Sequence, residues 1–226
     1  MAKMSQRNMI SSIRSIIIVE DHPVLREGLK KIINHEEDLS IIGEAWDVRS
    51  AWAAIKAKKP DLVIIDISLG ESNGLELIKE LKVHYEELPI LVLSMHDEIL
   101  FAERAIQAGA KGYITKSEQS DVLLAAIRKV LSGKYYVGES IVSRIFNRFF
   151  DCPKNLKKSP IERLSNREME VLQLMGMAKG SRQIAEALYL SIKTVQTYQQ
   201  RIKDKLGLNN ATELIQYASQ WVNTEA

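Results

Sequence analysis

The sequence predicts an α/β domain built on a five-stranded, doubly wound parallel sheet, followed by an all-α domain of helix-turn-helix type. Three observations carry this. Strand-like and helix-like signals alternate five times between Ser15 and Ser132. Leu62–Ile65 is an unbroken apolar run, as expected of a strand covered on both faces. After Pro160 the periods are helical, and two helices are joined by about three residues, the second longer and basic.

In chain order, Ser15–Val19 (SIIIV) is a strand. Pro23 suits the first turn of a helix over Val24–Ile33, whose apolar positions are Val24, Leu25, Leu29, Ile32 and Ile33. Ser40–Ala45 is the second strand, and Ala51–Ala57 is a helix that stops before Pro60. Leu62–Asp66 is the third strand. Gly74 precedes a helix with Leu75, Ile78 and Leu81 at helical spacing. Ile90–Leu93 follows Pro89 as the fourth strand, and Glu98–Ala108 is a helix closed by Gly109. Gly112–Ile114 is a short fifth strand, and Asp121–Leu131 a helix closed by Gly133.

Polar residues stand at the strand ends. Glu20 and Asp21 follow the first strand, Asp66 ends the third, Ser94 ends the fourth and Lys116 follows the fifth. Open α/β sheets bind ligands beyond the carboxyl ends of their strands, so these side chains are expected to converge. Three carboxylates meeting there would repel one another unless a cation sits among them, and hard oxygen donors suit Mg²⁺. The reading is that Asp66 accepts a phosphoryl group, with the metal neutralising its oxygens. Lys116 and the Ser94 hydroxyl would hold the remaining phosphoryl oxygens.

Composition sets bounds on the class of protein. The 226 residues are 46% hydrophobic and 27% charged, as in an ordinary soluble protein of one or two domains. No apolar run approaches the roughly 18 residues that span a bilayer. Residues 1–12 lack a long apolar stretch and read as a mobile tail, not a secretory signal. A single cysteine, Cys152, excludes an internal disulfide and fits a reducing, cytoplasmic compartment. The net charge of +2 hides an asymmetry. Ile13–Lys134 carries 16 Lys/Arg against 20 Asp/Glu, and Asp151–Ala226 carries 11 against 8. The change of sign suggests two domains with different partners.

The segments IIIVED (Ile16–Asp21), LVIID (Leu62–Asp66), LVLS (Leu91–Ser94) and GYITK (Gly112–Lys116) resemble the receiver domain of bacterial two-component response regulators, over roughly Arg14–Gly133. The resemblance implies a flavodoxin-like strand order 2-1-3-4-5 and phosphorylation of Asp66 by a sensor histidine kinase. It implies Mg²⁺ held by Glu20, Asp21, Asp66 and the backbone carbonyl of Ser68, with Lys116 and Ser94 stabilising the phosphoryl group. Ser94 and Tyr113 are implied as a switch pair: the hydroxyl moves toward the phosphoryl group, and the aromatic turns inward. That would alter the surface of the fourth helix, fifth strand and fifth helix. Two departures stand out. Gly70 replaces a frequent proline after the acceptor, which frees the backbone there. Asp47–Val48 stands where a glycine is common.

Residues 135–160 lack a clean period and read as a linker, with a possible helix over Ser140–Phe150. The second domain then runs over residues 161–226. Ser165 or Asn166 can cap its first helix, with Glu168 placed as in a capping box. Arg182–Leu188, Ile192–Leu206 and Asn210–Trp221 follow as helices. On the wheel of Ile192–Leu206, Val195, Tyr198, Ile202 and Leu206 face inward. Lys193, Gln196, Thr197, Gln200 and Asp204 form the opposite, polar face. Glutamines can pair with adenine edges in the major groove, and Lys193, Arg201 and Lys205 suit phosphates.

The stretch LSNREMEVLQLM…IAEAL…SIKTVQTYQQRIKDKLGL is similar to the DNA-binding domain of LuxR-type regulators, over about Leu164–Ser219. Together with a receiver this is the architecture of the NarL/FixJ group. The resemblance implies base contacts from Gln196, Thr197 and Gln200, and phosphate contacts from Lys193, Thr194, Arg201 and Lys205. It implies that the last helix pairs two protomers, through a stripe corresponding to Leu214, Ala218 and Trp221. Tyr198 stands where a histidine is frequent.

The expected protein is therefore a phosphorylation-controlled regulator of transcription that binds double-stranded DNA, dimerises when phosphorylated or on DNA, and is not an enzyme; phosphorylation of Asp66 is expected to alter either dimerisation or the release of the DNA-binding domain from the receiver. A phosphohydrolase using Asp66 is the first rival, but haloacid-dehalogenase-like enzymes carry a second Asp where this chain has Ser68. A regulator that works without phosphorylation is the second, and the intact acceptor set argues against it. A nicotinamide-binding domain fails because no GxGxxG follows the first strand.

Overall fold

The structure is a computed structural model that describes residues 13–69, 72–95, 99–138, 142 and 160–225. Gly70, Cys152, the N-terminal twelve residues and, Val142 apart, the helix expected over Ser140–Phe150 lie outside them. The chain divides into two compact units, Met1–Ile141 and Val142–Ala226.

In the first unit the elements are β1 (Arg14–Val19), α1 (Pro23–Asn34), β2 (Leu39–Ala45), α2 (Val48–Lys58) and β3 (Leu62–Asp66). Then come two-residue strands β4 (Ser68–Leu69) and β5 (Ser72–Asn73), α3 (Gly74–His84), β6 (Ile90–Ser94), α4 (Ile99–Gln107), β7 (Gly112–Thr115) and α5 (Ser120–Leu131). The main sheet is parallel, in the order β2-β1-β3-β6-β7, which is the expected order with β6 and β7 as fourth and fifth strands. β4 and β5 form a separate antiparallel pair directly after Asp66.

Ile16–Val19 and Leu62–Ile65 are buried throughout, so these strands need no polar alternation. Ile16, Ile18, Leu62, Ile64, Leu91 and Leu93 pack on one side with α1 and α5, through Leu29, Ile33, Leu123 and Ile127. Local chemistry marks the helix ends. Pro23 opens α1, and the Asp47 carboxylate accepts from Ser50 N–H at 2.6 Å in a reciprocal capping box at α2. Asp47 thus serves as a helix cap in the place where the resemblance favours glycine.

β2 is an edge strand with an irregularity. Its register against β1 slips between Ile41 and Gly43, leaving Ile42 unpaired, and Lys58 Nζ donates to the Ile42 carbonyl. The other edge, β7, is covered by the chain leaving α5: Tyr113 N–H donates to Tyr136 O at 2.9 Å.

The second unit begins with a 3₁₀ turn (Pro160–Arg163), followed by α6 (Asn166–Gly176), α7 (Ser181–Ala187), α8 (Ile192–Leu206) and α9 (Ala211–Glu225). Ser165 and Glu168 form the expected capping box. Met169, Leu172, Ile184, Val195, Ile202, Leu214 and Ala218 are the buried core. Gly176 is needed where α6 meets α9: a Cβ there would strike the Ala218 carbonyl and Val222. Among the described residues no helix is long and apolar enough to cross a membrane.

Candidate functional site

Asp66 closes β3, and its side chain is buried because β6 continues alongside it, with Asp66 opposite Leu93. The turn after it is tight. Ser68 N–H donates to Asp66 Oδ1 at 3.1 Å, and Asn73 caps α3 by accepting from Leu75 N–H at 3.0 Å. Gly74 sits so close that a Cβ would collide with the Asp66 carbonyl and with Ile67.

Lys116, delivered by the end of β7, places Nζ 2.8 Å from Asp66 Oδ2 and 2.7 Å from Glu20 Oε2. All three side chains are at most 4% exposed. Burial pushes the Asp66 carboxyl up to about 6; Lys116 opposes this, and Glu20 adds to it. The Lys116 ammonium is held above its ordinary range, because two carboxylates outweigh the cost of its burial. One ammonium between two buried carboxylates leaves negative charge uncompensated, and Asp21 adds more.

Ligand atoms of Glu20, Asp21, His22 and Asp66 lie within 4.8 Å of one another. A buried Asp21 oxygen finds no hydrogen bond of good geometry, although His22 Nδ1 lies 2.9 Å away. An oxygen-rich, electron-excess cluster of this kind fits a hard divalent cation. Of the residues expected at the strand ends, Glu20, Asp21, Asp66 and Lys116 are thus brought together. Ser94 and Tyr113 are both buried, on β6 and β7, with Ser94 paired to Thr115 and Tyr113 to Val92. Ser68 lies at the start of β4, two residues beyond the acceptor.

Two residues that strand-end reasoning passed over belong to this cluster. His22 Nδ1 is 2.9 Å from both Glu20 Oε1 and Asp21 Oδ1. Arg26, one helical turn on in α1, donates to the Glu20 carbonyl at 2.7 Å and pairs with Glu44 at 3.3 Å. The available signal was position alone: His22 directly follows the acids, and Arg26 repeats it at i+4.

In the second unit α8 carries the polar face. Ser191 caps it, accepting from Thr194 N–H at 3.0 Å. Lys193, Gln196, Thr197, Gln200 and Arg201 are exposed, while Val195 and Ile202 are buried and Tyr198 and Leu206 half-buried. The Thr197 hydroxyl donates to the Lys193 carbonyl at 3.0 Å, and Gln200 Nε2 donates to Asp204 at 2.8 Å. Arg201 lies over the Tyr198 ring at 5.9 Å.

Two sets of expected contact residues have partners inside their own unit. Lys205 does not stand free beside that face, since its Nζ pairs with buried Glu168 at 2.6 Å and so braces α8 on the start of α6. Leu214 and Ala218 are not a stripe open to a second protomer. They are 1% and 0% exposed inside their own unit, and Trp221 is half-buried with its indole N–H enclosed. The α9 face open to solvent instead carries Ala211, Thr212, Ile215 and Gln216.

Residues 16–128 match the response regulator receiver domain, and residues 162–218 match the bacterial regulatory proteins of the luxR family. The chain is 36% identical over 208 residues to the oxygen regulatory protein NreC of Staphylococcus haemolyticus, covering 90% of this chain and 95% of that protein. It resembles RcsB of Salmonella enterica serovar Typhimurium bound to the promoter rprA with a phosphomimetic, at 26% identity and a TM-score of 0.57, over 92% of this chain and 99% of that one. A LuxR-family two-component response regulator from Aurantimonas matches at 31% identity and a TM-score of 0.57, over 62% of this chain and 99% of that one.

Proposed function

The chain belongs to the two-component response regulators that join a receiver to a LuxR-type DNA-binding domain, and from this membership we propose that phosphorylation of Asp66 controls its binding to DNA. The observation that carries the reading is the ion pair of Asp66 with Lys116 inside the ring of Glu20 and Asp21. One Asp66 oxygen attacks the phosphorus of a phosphohistidine on a sensor kinase. The phosphorus–nitrogen bond breaks, and the imidazole leaves. Lys116 stays beside the new phosphoryl oxygens, and Ser94 at the end of β6 donates its hydroxyl to another. Glu20, Asp21, Asp66 and the Ser68 carbonyl are the residues that would hold Mg²⁺, which supplies charge neutralisation when bound.

Gln196, Thr197 and Gln200 read base edges, and Lys193, Thr194 and Arg201 contact phosphates. Lys205 contributes at most after leaving Glu168. The RcsB complex, a regulator of the same architecture on promoter DNA with a phosphomimetic, supports this reading. Two protomers pair through the exposed face of α9 around Ile215, and a cytoplasmic site of action follows from the kinase and DNA partners. To invert a 1:99 equilibrium, the phosphoryl group must favour the active state by about 5.5 kcal/mol.

The test is solution mass by light scattering, with Mg²⁺ and a small phosphodonor, for the natural chain and Asp66→Asn. Doubling of the natural chain alone supports gating by dimerisation. No change in either, together with an unchanged gel shift, refutes phosphorylation control.

A further inference from the structure

The receiver's last helix does not release the chain directly. Gly133, at φ +82°, closes α5 with Gly133 N–H donating to Val130 O at 2.9 Å and Lys134 N–H to Lys129 O at 3.2 Å. The chain then doubles back onto the open edge of β7. Tyr136 N–H donates to Lys111 O, and Tyr136 O accepts from Tyr113 N–H, both at 2.9 Å, with Gly112 as the parallel partner. The Tyr136 ring packs on the α1/α5 core, and Lys129 Nζ lies 5.3 Å from its centre. Gly112 makes room: a Cβ there would stand 2.7 Å from Leu91, 2.9 Å from Val130 and 3.3 Å from Tyr136 O.

We propose that Tyr136 is a positioning residue that couples Tyr113 to the connector leading to the DNA-binding unit. The inference rests on the reading of Asp66 and of Ser94–Tyr113 given above, and adds the route by which their change leaves the receiver. A departing chain tied only to α5 would be insensitive to the state of β7. This chain is hydrogen-bonded to the amide of Tyr113 itself, so a shift of the Tyr113 backbone must either carry Tyr136 along or break that bond. The boundary between the compact units, after Ile141, follows shortly downstream. The second bond, from Tyr136 N–H to Lys111 O, makes carrying along the cheaper outcome, because it ties Tyr136 to the β7 edge on both of its backbone groups while the ring contacts with Lys129 and the core set how far it can move.

The test uses the full chain. Amide hydrogen exchange is followed by NMR with and without beryllofluoride and Mg²⁺, while intact mass after acetyl phosphate treatment reports acceptance at Asp66. The expected result is that the Tyr113 and Tyr136 amides change protection by a common factor. Tyr136→Pro removes the donor to Lys111. This variant should accept the phosphoryl group to the same extent yet lose the donor-dependent gain in DNA binding, a separation that general destabilisation would not produce. Lys129→Ala, a surface change, should weaken the coupling partially and keeps the test open should the proline variant fail to fold. A phosphorylated chain in which Tyr113 responds alone, or in which neither amide responds, overturns the inference, as does a Tyr136→Pro chain with full donor-dependent DNA binding. Absence of any mass gain is the distinct failure of the Asp66 reading, and removes this inference with it.

Discussion

Lys116 and Asp66 meet at 2.8 Å although they are fifty residues apart, and the same ammonium is 2.7 Å from Glu20. The lysine therefore serves two buried acids at once. Breaking such an arrangement from the cationic side leaves two buried charges exposed to each other, at a cost of about 3–5 kcal/mol. Lys116→Met should show that loss in denaturant unfolding at pH 8, and adding Asp66→Asn should recover part of it. Additive losses in the double variant would contradict the shared-charge description.

Asp66 titrates near 6, pushed up by burial. A carboxyl raised in the folded state contributes stability below its unfolded value, near 4, and loses it as pH climbs through 6. Above pH 6 the natural chain thus bears a cost on the order of 3 kcal/mol. Asp66→Asn should melt higher than the natural chain at pH 8, with the gap closing toward pH 4. Equal gaps at both pH values would rule this out.

Gly74 abuts the Asp66 carbonyl and Ile67. Gly74→Ala should cost about 1–3 kcal/mol from overpacking and displace the acceptor turn. Phosphoryl uptake from acetyl phosphate should slow relative to the natural chain; an unaltered rate would show that the turn yields without moving Asp66.

Glu168 holds Lys205 at 2.6 Å and the Ser165 N–H at 2.7 Å. Lys205→Ala should therefore weaken DNA binding less than Lys193→Ala. The Lys193 change should also lower the slope of log affinity against log salt by about 1. Filter binding across a salt series measures both, and a larger effect at Lys205 would show that the Glu168 pair opens on DNA.

Gln196→Ala should cost about 1–3 kcal/mol on a specific site and little on random DNA. Gln200→Ala additionally frees Asp204, its partner at 2.8 Å, which places an unpaired carboxylate near the phosphates. The Gln200 loss should consequently appear on both DNAs.

The sheet was legible because its strands are apolar without interruption, and because the acids at their ends have no packing role. The Ser165–Glu168 box was legible for a different reason: its two members lie three residues apart, inside one helical turn. What escaped was long-range. A helical wheel groups Leu214 with Ala218 correctly but cannot say whether α6 or a second protomer covers them. The Lys205–Glu168 pair joins positions 37 residues apart, and its signal in sequence is no stronger than that of any other Lys and Glu. The β4–β5 pair has two residues per strand, too few to show a period. His22 was hidden by its neighbours, since the acids before it already explained the strand end.

The kink at Ile42 bears on solubility at high concentration. An outer strand with a straight row of free amides and carbonyls invites a second molecule to add its own strand, and stacking of that kind propagates without limit. Here the slip in register, the Lys58 ammonium on the Ile42 carbonyl and the Asn34 side chain accepting from Ile41 N–H at 2.7 Å leave no straight row on that margin. That margin therefore offers a second copy no template for strand addition, and self-association by that route has no starting point there.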